Sequence, residues 1–293
     1  MWAVEAYEHA RHRLPDASAS GNARPVTGIL ELAEHYEAFL LDAFGVLNVG
    51  ATAIPGATEA VAALQDMGKR VLVLTNGATY PAEVSLAKYR RWGFDFAPED
   101  VVSSRDALKT GLQECLDRQW GVMAVEGSRL EELSISAHLL TDDPETYRRS
   151  EGFILLGSGD WSEKRQAMLL EALRDAPRPV MVGNPDIVAP REDGFSAEPG
   201  HYAHDAADKV GAAPVFFGKP FPNIFDLALS RVPGVPPSRV LMVGDTLHTD
   251  VLGGAQAGCA TLLTTGHGLF RGMQVAPVIA RTGLSPDWIC ASI

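Results

Sequence analysis

Short apolar runs that stop on a polar residue recur along this chain, and a helical pattern follows most of them. Residues 37–41 lead into Asp42, 70–74 end at Thr75-Asn76-Gly77, and 239–243 end at Gly244-Asp245. Apolar runs this short, bounded by turn residues, read as strands buried on both faces. After the first run, the segment PGATEAVAALQDMG reads as a helix. Pro55 stands at its start, Ala57, Ala60, Val61 and Leu64 share one face, and Gly68 stops it. Residues 81–92 read as a second helix closed by Gly93. Strand, helix, strand in this order requires a right-handed crossover and a parallel sheet. The rhythm returns later, with strands over 214–217 and 260–264 and helices over 221–231 and 248–257. Residues 15–25 are loop-like and set a short N-terminal helix apart from the body. The stretch 118–212 carries its own strands (122–125, 153–156, 179–182) and helices, enough for a separate α/β unit.

Composition removes several function classes. The 293 residues carry 25 Lys+Arg against 37 Asp+Glu, a net charge of −12. Such a chain repels a phosphate backbone, so nucleic acid is not expected as a partner. Cys115, Cys259 and Cys290 are far apart, with no CxxC and no Cys/His cluster, so they read as small buried hydrophobes rather than zinc ligands or disulfides. No run reaches the length of a membrane span, and the first residues contain no apolar leader. The expectation is a cytoplasmic protein; a homodimer stays open. Gly157-Ser158-Gly159 lacks the spacing of a nucleophile elbow, and no GxGxxG follows the first strand.

What remains is a set of polar residues at strand ends: Asp42, Thr75, Asn76, Lys219 and Asp245. Ligands of open parallel sheets bind there. Taken singly, each has a plainer reading as a helix cap, a turn or a solvated lysine. Their joint occurrence fits phosphoryl transfer. A carboxylate can attack phosphorus and form an aspartyl-phosphate. Asp42 and Asp245 suffice to hold a Mg2+ that keeps several waters. The Thr75 hydroxyl, the Asn76 N–H and the Lys219 ammonium would balance the remaining charge.

Four segments carry a family resemblance: LLDAFGVLNVG with IPG at 40–56, VLVLTNG at 71–77, GKPFPNIFDLAL at 218–229, and VGDTLHTDVLGGAQAG at 243–258. Together they resemble the haloacid dehalogenase superfamily, in particular its class IIA branch of NagD-like and p-nitrophenylphosphatase-like hydrolases. VGNPDIVAPREDG at 182–194 is similar to the cap segment of that branch. The resemblance spans about 37–268. It implies a Rossmann-like α/β core over 37–117 and 213–293, a C2-type cap over 118–212, and an N-terminal helix and loop over 1–36. It implies Asp42 as nucleophile and metal ligand. Asp245 and the Phe44 carbonyl would complete the protein's share of the Mg2+ site, with Asp250 behind them. Thr75 and Asn76 would grip the phosphoryl group, and Lys219 would neutralise it. Asn184 and Asp186 would contact substrate or simply build a turn.

One position departs from the family pattern. Its phosphatases carry a second Asp two residues after the nucleophile, where this chain has Phe44. That Asp protonates the leaving oxygen and later deprotonates the attacking water, and Phe can do neither. His248 and His267 are the available substitutes, since His titrates near neutrality, although a helix-start or loop histidine without a catalytic role is the plainer reading of each. Trp92 and Trp161 read as packing residues. The expected function is hydrolysis of small phosphate monoesters, sugar or nucleotide phosphates, by a phosphatase-type enzyme. Two rivals follow from Phe44: another phosphoryl-transfer or C–P cleavage reaction, and a phosphate-ligand binder without catalysis.

Overall fold

The computed structural model describes residues 2–114, 116–191 and 194–293. Cys115, Glu192 and Asp193 lie outside the described residues, so the reading of Cys115 as a core hydrophobe and the end of the 182–194 motif have no structural counterpart here.

Among the described residues the larger sheet has seven strands, in the order Arg24–Pro25, Trp288–Cys290, Ala260–Thr264, Val240–Gly244, Ala38–Leu41, Arg70–Thr75 and Val101–Ser103. All its pairings are parallel. After the edge strand Arg24–Pro25 the chain takes the inner strand Ala38–Leu41, moves outward to Val101–Ser103, and returns on the other side at Val240–Gly244. The strand order therefore reverses at Ala38–Leu41, the place where open sheets form their ligand crevice. Register fixes the rest. Leu41 lies opposite Val243 and Val73, and the Asp42 N–H donates to the Val243 carbonyl at 2.8 Å. Asp42, Asp245 and Thr75 thus leave the same edge of the sheet, although 203 residues separate the two aspartates (245 − 42).

The insert between Val101–Ser103 and Val240–Gly244 builds a second parallel sheet. Its order is Val215–Phe216, Val180–Val182, Gly152–Leu155, Gln119–Met123, Ser136–Leu139. The helices Glu163–Asp175 and Pro199–Val210 pack on it, and the antiparallel hairpin Val188–Arg191/Gly194–Ala197 projects from it. The sequence reading grouped the strand at 214–217 with the larger sheet. Val215–Phe216 instead pairs with Met181 and Val182, so the smaller sheet runs past 212. Nothing in a two-residue edge strand says which sheet it will join.

Both sheets are closed by apolar packing. Leu41, Val71, Val73, Leu241 and Val243 are buried on one face of the larger sheet and Leu40, Leu72, Leu74 and Met242 on the other. This alternation is what a parallel strand covered on both sides requires. Cys259 and Cys290 are buried and unbridged, as expected of small hydrophobes. The N-terminal helix Trp2–Ala10 is not set apart from the body. Ala3, Val4, Tyr7 and Ala10 are buried in a cluster with Ile187 and Val188 from the insert and Leu247, Val251 and Leu252 from the larger unit. Within the loop-like 15–25, Arg24–Pro25 adds an edge strand beside Trp288–Cys290. No helix among the described residues is long and apolar enough to cross a membrane.

Candidate active site

Asp42, Lys219, Asp245 and Asp250 meet at the carboxyl edge of the larger sheet. The buried Lys219 ammonium lies 2.7 Å from Asp42 Oδ1 and 2.8 Å from Asp250 Oδ1. Asp42 Oδ1 also accepts the Ala43 N–H at 2.7 Å. Asp245 accepts the Thr246 hydroxyl on Oδ1 at 2.9 Å and the Leu269 N–H on Oδ2 at 2.7 Å. Asp250 Oδ2 accepts the Thr246 N–H at 3.0 Å, so both of its oxygens are committed inside the protein. The five residues Leu247–Val251 form a single π-helical turn that leads into the helix Leu252–Gln256. Such wide turns are used where a helix must re-aim its side chains. Gly45 has φ +77°, and a Cβ there would stand 2.6 Å from Asp245. The loop after Asp42 can therefore approach Asp245 only with glycine at this point.

Three carboxylates around one ammonium leave excess negative charge in a dry place. Burial first, then the neighbouring carboxylates, holds Asp245 well above the usual carboxylate range. Asp42 is likewise raised by burial, against the pull of Lys219. Burial alone would lower Lys219, but Asp250, Asp42 and Asp186 outweigh it and keep the ammonium charged. One ligand atom from each of Asp42, Asp245 and Asp250 lies within 4.8 Å of the others. Hard oxygen donors with uncompensated charge fit a divalent cation of the Mg2+ type. Asp250 faces Lys219 and the Thr246 N–H, while Asp42 and Asp245 both border the cavity.

Thr75 is buried in the crevice, its hydroxyl accepting the Gly77 N–H at 3.1 Å. The Asn76 side chain does something that sequence reasoning did not foresee. Its Nδ2 donates to Asp186 at 2.8 Å and to the Lys219 carbonyl at 2.9 Å, while its Oδ1 accepts the Lys219 N–H at 2.7 Å. The side chain fixes the lysine loop, which leaves the backbone N–H as what Asn76 offers an anion. Asn184 is used at both ends: Oδ1 accepts the Asp186 N–H at 3.0 Å and Nδ2 reaches Glu198 at 3.3 Å. It builds a turn that delivers Asp186 to Asn76, and both Asn184 and Asp186 also line the cavity. Asp186 is buried, and burial first raises its carboxyl well above the usual range.

Above this floor lies a cavity of about 350 Å3. Phe44 lines it, half-buried, with Lys88 Nζ 5.4 Å and Arg191 Cζ 5.7 Å from its ring centre. His248 is elsewhere. Its Nε2 lies 2.5 Å from Glu8, its ring stacks on Tyr7 at 5.1 Å, and burial lowers its pKa. It serves the N-terminal helix, and neither its imidazole nor that of His267 is among the residues that line the cavity. Trp92 and Trp161 pack against Lys88 and against Tyr147 and Tyr202, and the Ser158 hydroxyl is taken up by the Ala197 carbonyl. The residues that sequence reasoning missed are Lys88, Arg191 and Glu198. The spacing of Val84, Lys88 and Arg91 on one helical face, and the Asp193-Gly194 turn signal between short apolar runs, were the available signs.

Two family models match the chain: a haloacid dehalogenase-like hydrolase model over residues 39–136 and an HAD-hydrolase-like model over 216–292. Among curated proteins, the dihydroxyacetone phosphatase of Corynebacterium glutamicum is 28% identical over 232 residues, covering 77% of this chain and 79% of that protein. The acid sugar phosphatase of Staphylococcus aureus is 29% identical over 230 residues, covering 78% and 86%. Among solved structures, a possible sugar phosphatase from Cytophaga hutchinsonii superposes with a TM-score of 0.80 at 24% identity, over 92% of this chain and 98% of that one. The p-nitrophenyl phosphatase of Archaeoglobus fulgidus gives 0.72 at 25% identity, over 88% and 96%.

Proposed function

The chain belongs to the haloacid dehalogenase-like hydrolases, and from that membership we propose that it hydrolyses small phosphate monoesters with Asp42 as nucleophile and Mg2+ held by Asp42, Asp245 and the Phe44 carbonyl. The observation that carries this is the Asp42–Lys219–Asp250 arrangement. Lys219 pins Asp42 Oδ1 at 2.7 Å, while Oδ2 has no partner among the described residues and Asp42 borders the cavity. A bound divalent cation supplies the positive charge that lets an anionic carboxylate approach an anionic phosphate. Thr75, the Asn76 N–H and Lys219 would hold the phosphoryl oxygens. Asp42 attacks phosphorus, the bond to the leaving oxygen breaks, and that oxygen takes its proton from water. Water then attacks the aspartyl-phosphate, releasing inorganic phosphate and restoring Asp42. The insert would act as a cap that shields these steps. The names of the relatives, sugar and p-nitrophenyl phosphatases, support this substrate class.

Phe44 makes the reading specific. A positioned general acid contributes about 10²–10⁴ in rate. Without one, the enzyme turns over aryl phosphates, whose leaving groups are weak bases, far faster than alkyl phosphates. The test is kcat/KM for p-nitrophenyl phosphate and for glycerol 3-phosphate with Mg2+ and with EDTA, in wild type and Phe44→Asp. A large aryl preference that Phe44→Asp narrows, lost altogether in EDTA, is expected. Equal turnover of both esters in the wild type would show that another group supplies the proton. Phe44 also favours a second reading, a phosphate-ligand binder, which would turn over neither ester yet bind them in a calorimetric titration.

A further inference from the structure

The N-terminal helix Trp2–Ala10 precedes every family motif, yet one of its side chains reaches two supports of the site. Tyr7 is buried. Its hydroxyl accepts the Ile187 N–H at 3.2 Å, and its ring stacks on His248 at 5.1 Å with 9° between the planes. Ile187 belongs to the insert. His248 belongs to the π-helical turn Leu247–Val251 of the larger unit. Glu8, the next residue of the helix, holds the same imidazole.

Both supports lead to Lys219. In the insert, the Asp186–Ile187 peptide is gripped on both sides: Tyr7 takes its N–H, and its carbonyl accepts the Gly200 N–H at 3.0 Å. A Cβ at Gly200 would stand 2.1 Å from the Pro185 carbonyl oxygen, so the helix Pro199–Val210 approaches this peptide only with glycine there. A peptide fixed at both ends aims the side chain beside it. That side chain, Asp186, accepts Asn76 Nδ2 at 2.8 Å, and Asn76 clasps both the N–H and the carbonyl of Lys219. In the larger unit the path is shorter. His248 stands two residues before Asp250, and Asp250 Oδ1 lies 2.8 Å from Lys219 Nζ. One support sets the backbone of Lys219 and the other its ammonium, which also pins Asp42.

Resting on the phosphatase reading above, we propose that Tyr7 is a positioning residue for phosphoryl transfer: it holds the Asp186 segment and the His248 turn together, and through them keeps Lys219 on Asp42. Tyr7 does not line the cavity, so it acts through these residues and not on the ester. Arg13 provides the contrast. It lies in the turn Arg11–Arg13 and pairs with Asp208, at the end of Pro199–Val210 away from Gly200. It fastens the N-terminal segment without touching either support.

Tyr7→Phe removes the hydroxyl and keeps the stacked ring. With p-nitrophenyl phosphate and Mg2+, kcat per folded molecule should fall by about 10-fold, the weight of one hydrogen bond, with a smaller change in KM. Tyr7→Leu, which loses ring and hydroxyl together, should lose more. Arg13→Gln should lower Tm and leave kcat unchanged, as a purely structural contact would. Amide exchange reads the same coupling without turnover. Tyr7→Phe should speed exchange at the Ile187 N–H, which loses its acceptor, and also at the Lys219 N–H, which Tyr7 does not touch. Arg13→Gln should leave the Lys219 N–H as it was. A wild type that does not hydrolyse the ester removes the phosphatase reading, and the exchange result then decides whether Tyr7 holds Lys219. An unchanged kcat in Tyr7→Phe, an equal fall in Arg13→Gln, or faster exchange confined to Ile187 overturns the proposal.

Discussion

The floor and the mouth of one cavity hold charge in opposite ways. At the floor, Lys219 is about 1% exposed and its partners Asp42 and Asp250 are 13% and 1% exposed. Each has partners fixed by backbone, and none can turn away. At the mouth, Arg191 is 45% exposed and paired to Glu198 at its own hairpin. Water screens such a pair to about 1 kcal/mol or less, whereas breaking a buried pair costs several times more. The floor is crowded and closed to water; the mouth is open to it and its side chains are freer to adjust.

That contrast breaks if the floor can lose a charge cheaply. Lys219→Met leaves Asp42 and Asp250 facing each other with no cation between them. The expected loss is about 3–5 kcal/mol of stability in metal-free buffer, read as a lower Tm. Added Mg2+ should recover part of it, because the ion then supplies the missing positive charge. A variant as stable as wild type without metal would mean that the carboxylates are not compressed by their surroundings.

Acid sharpens the same contrast from the side of the insert. His204 is buried against Phe216, and burial first, then Arg13, lowers its pKa to about 4. The unfolded chain binds this proton near pH 6.5. Between those values the unfolded state holds more protons than the folded one, so stability falls as pH drops through that window. At pH 5 the loss is about 2 kcal/mol. The crowded carboxylates of the floor move the other way, since they ease as they take protons. The measurement is therefore the difference in Tm between wild type and His204→Gln. It should favour wild type at pH 7 and shrink or reverse at pH 5. A difference independent of pH would show that His204 takes up its proton equally in the folded and unfolded chain.

The floor was legible in the sequence and the mouth was not, for a physical reason. Strands buried on both faces must be short and apolar, and their ends must carry the polar groups. Asp42, Thr75 and Asp245 could thus be placed at strand ends from the residue pattern, and so could the parallel sheet. Adjacency of Ala38–Leu41 and Val240–Gly244 came from the motif order and not from local pattern, because pairing across 200 residues leaves no periodic trace. The mouth is built from half-exposed side chains on a helix and a hairpin, and a half-exposed Lys or Arg looks like any solvated charge. Asn76, expected to grip a phosphoryl group, lines the crevice, and its side chain is a strut for the Lys219 loop. That distinction depends on which backbone groups come within 3 Å, and composition does not record it. The N-terminal helix was read as set apart because the loop after it is polar. Its small buried residues, Ala3 and Ala10 with Val4, give too weak an apolar stripe to announce that Tyr7 and Glu8 reach Ile187 and His248.

The central claim is that Asp42 takes the phosphoryl group. Phe44 makes the claim directly observable, because a protein with no carboxyl beside the nucleophile should be slow to activate the water that clears it. Wild-type protein with Mg2+ and p-nitrophenyl phosphate, quenched in acid during turnover and digested, is expected to yield the Asp42 peptide heavier by one phosphoryl group. The modification should be absent in Asp42→Asn, and Phe44→Asp should reduce its steady-state level. Phosphoryl transfer to a different residue, or undiminished turnover by Asp42→Asn, would contradict the account.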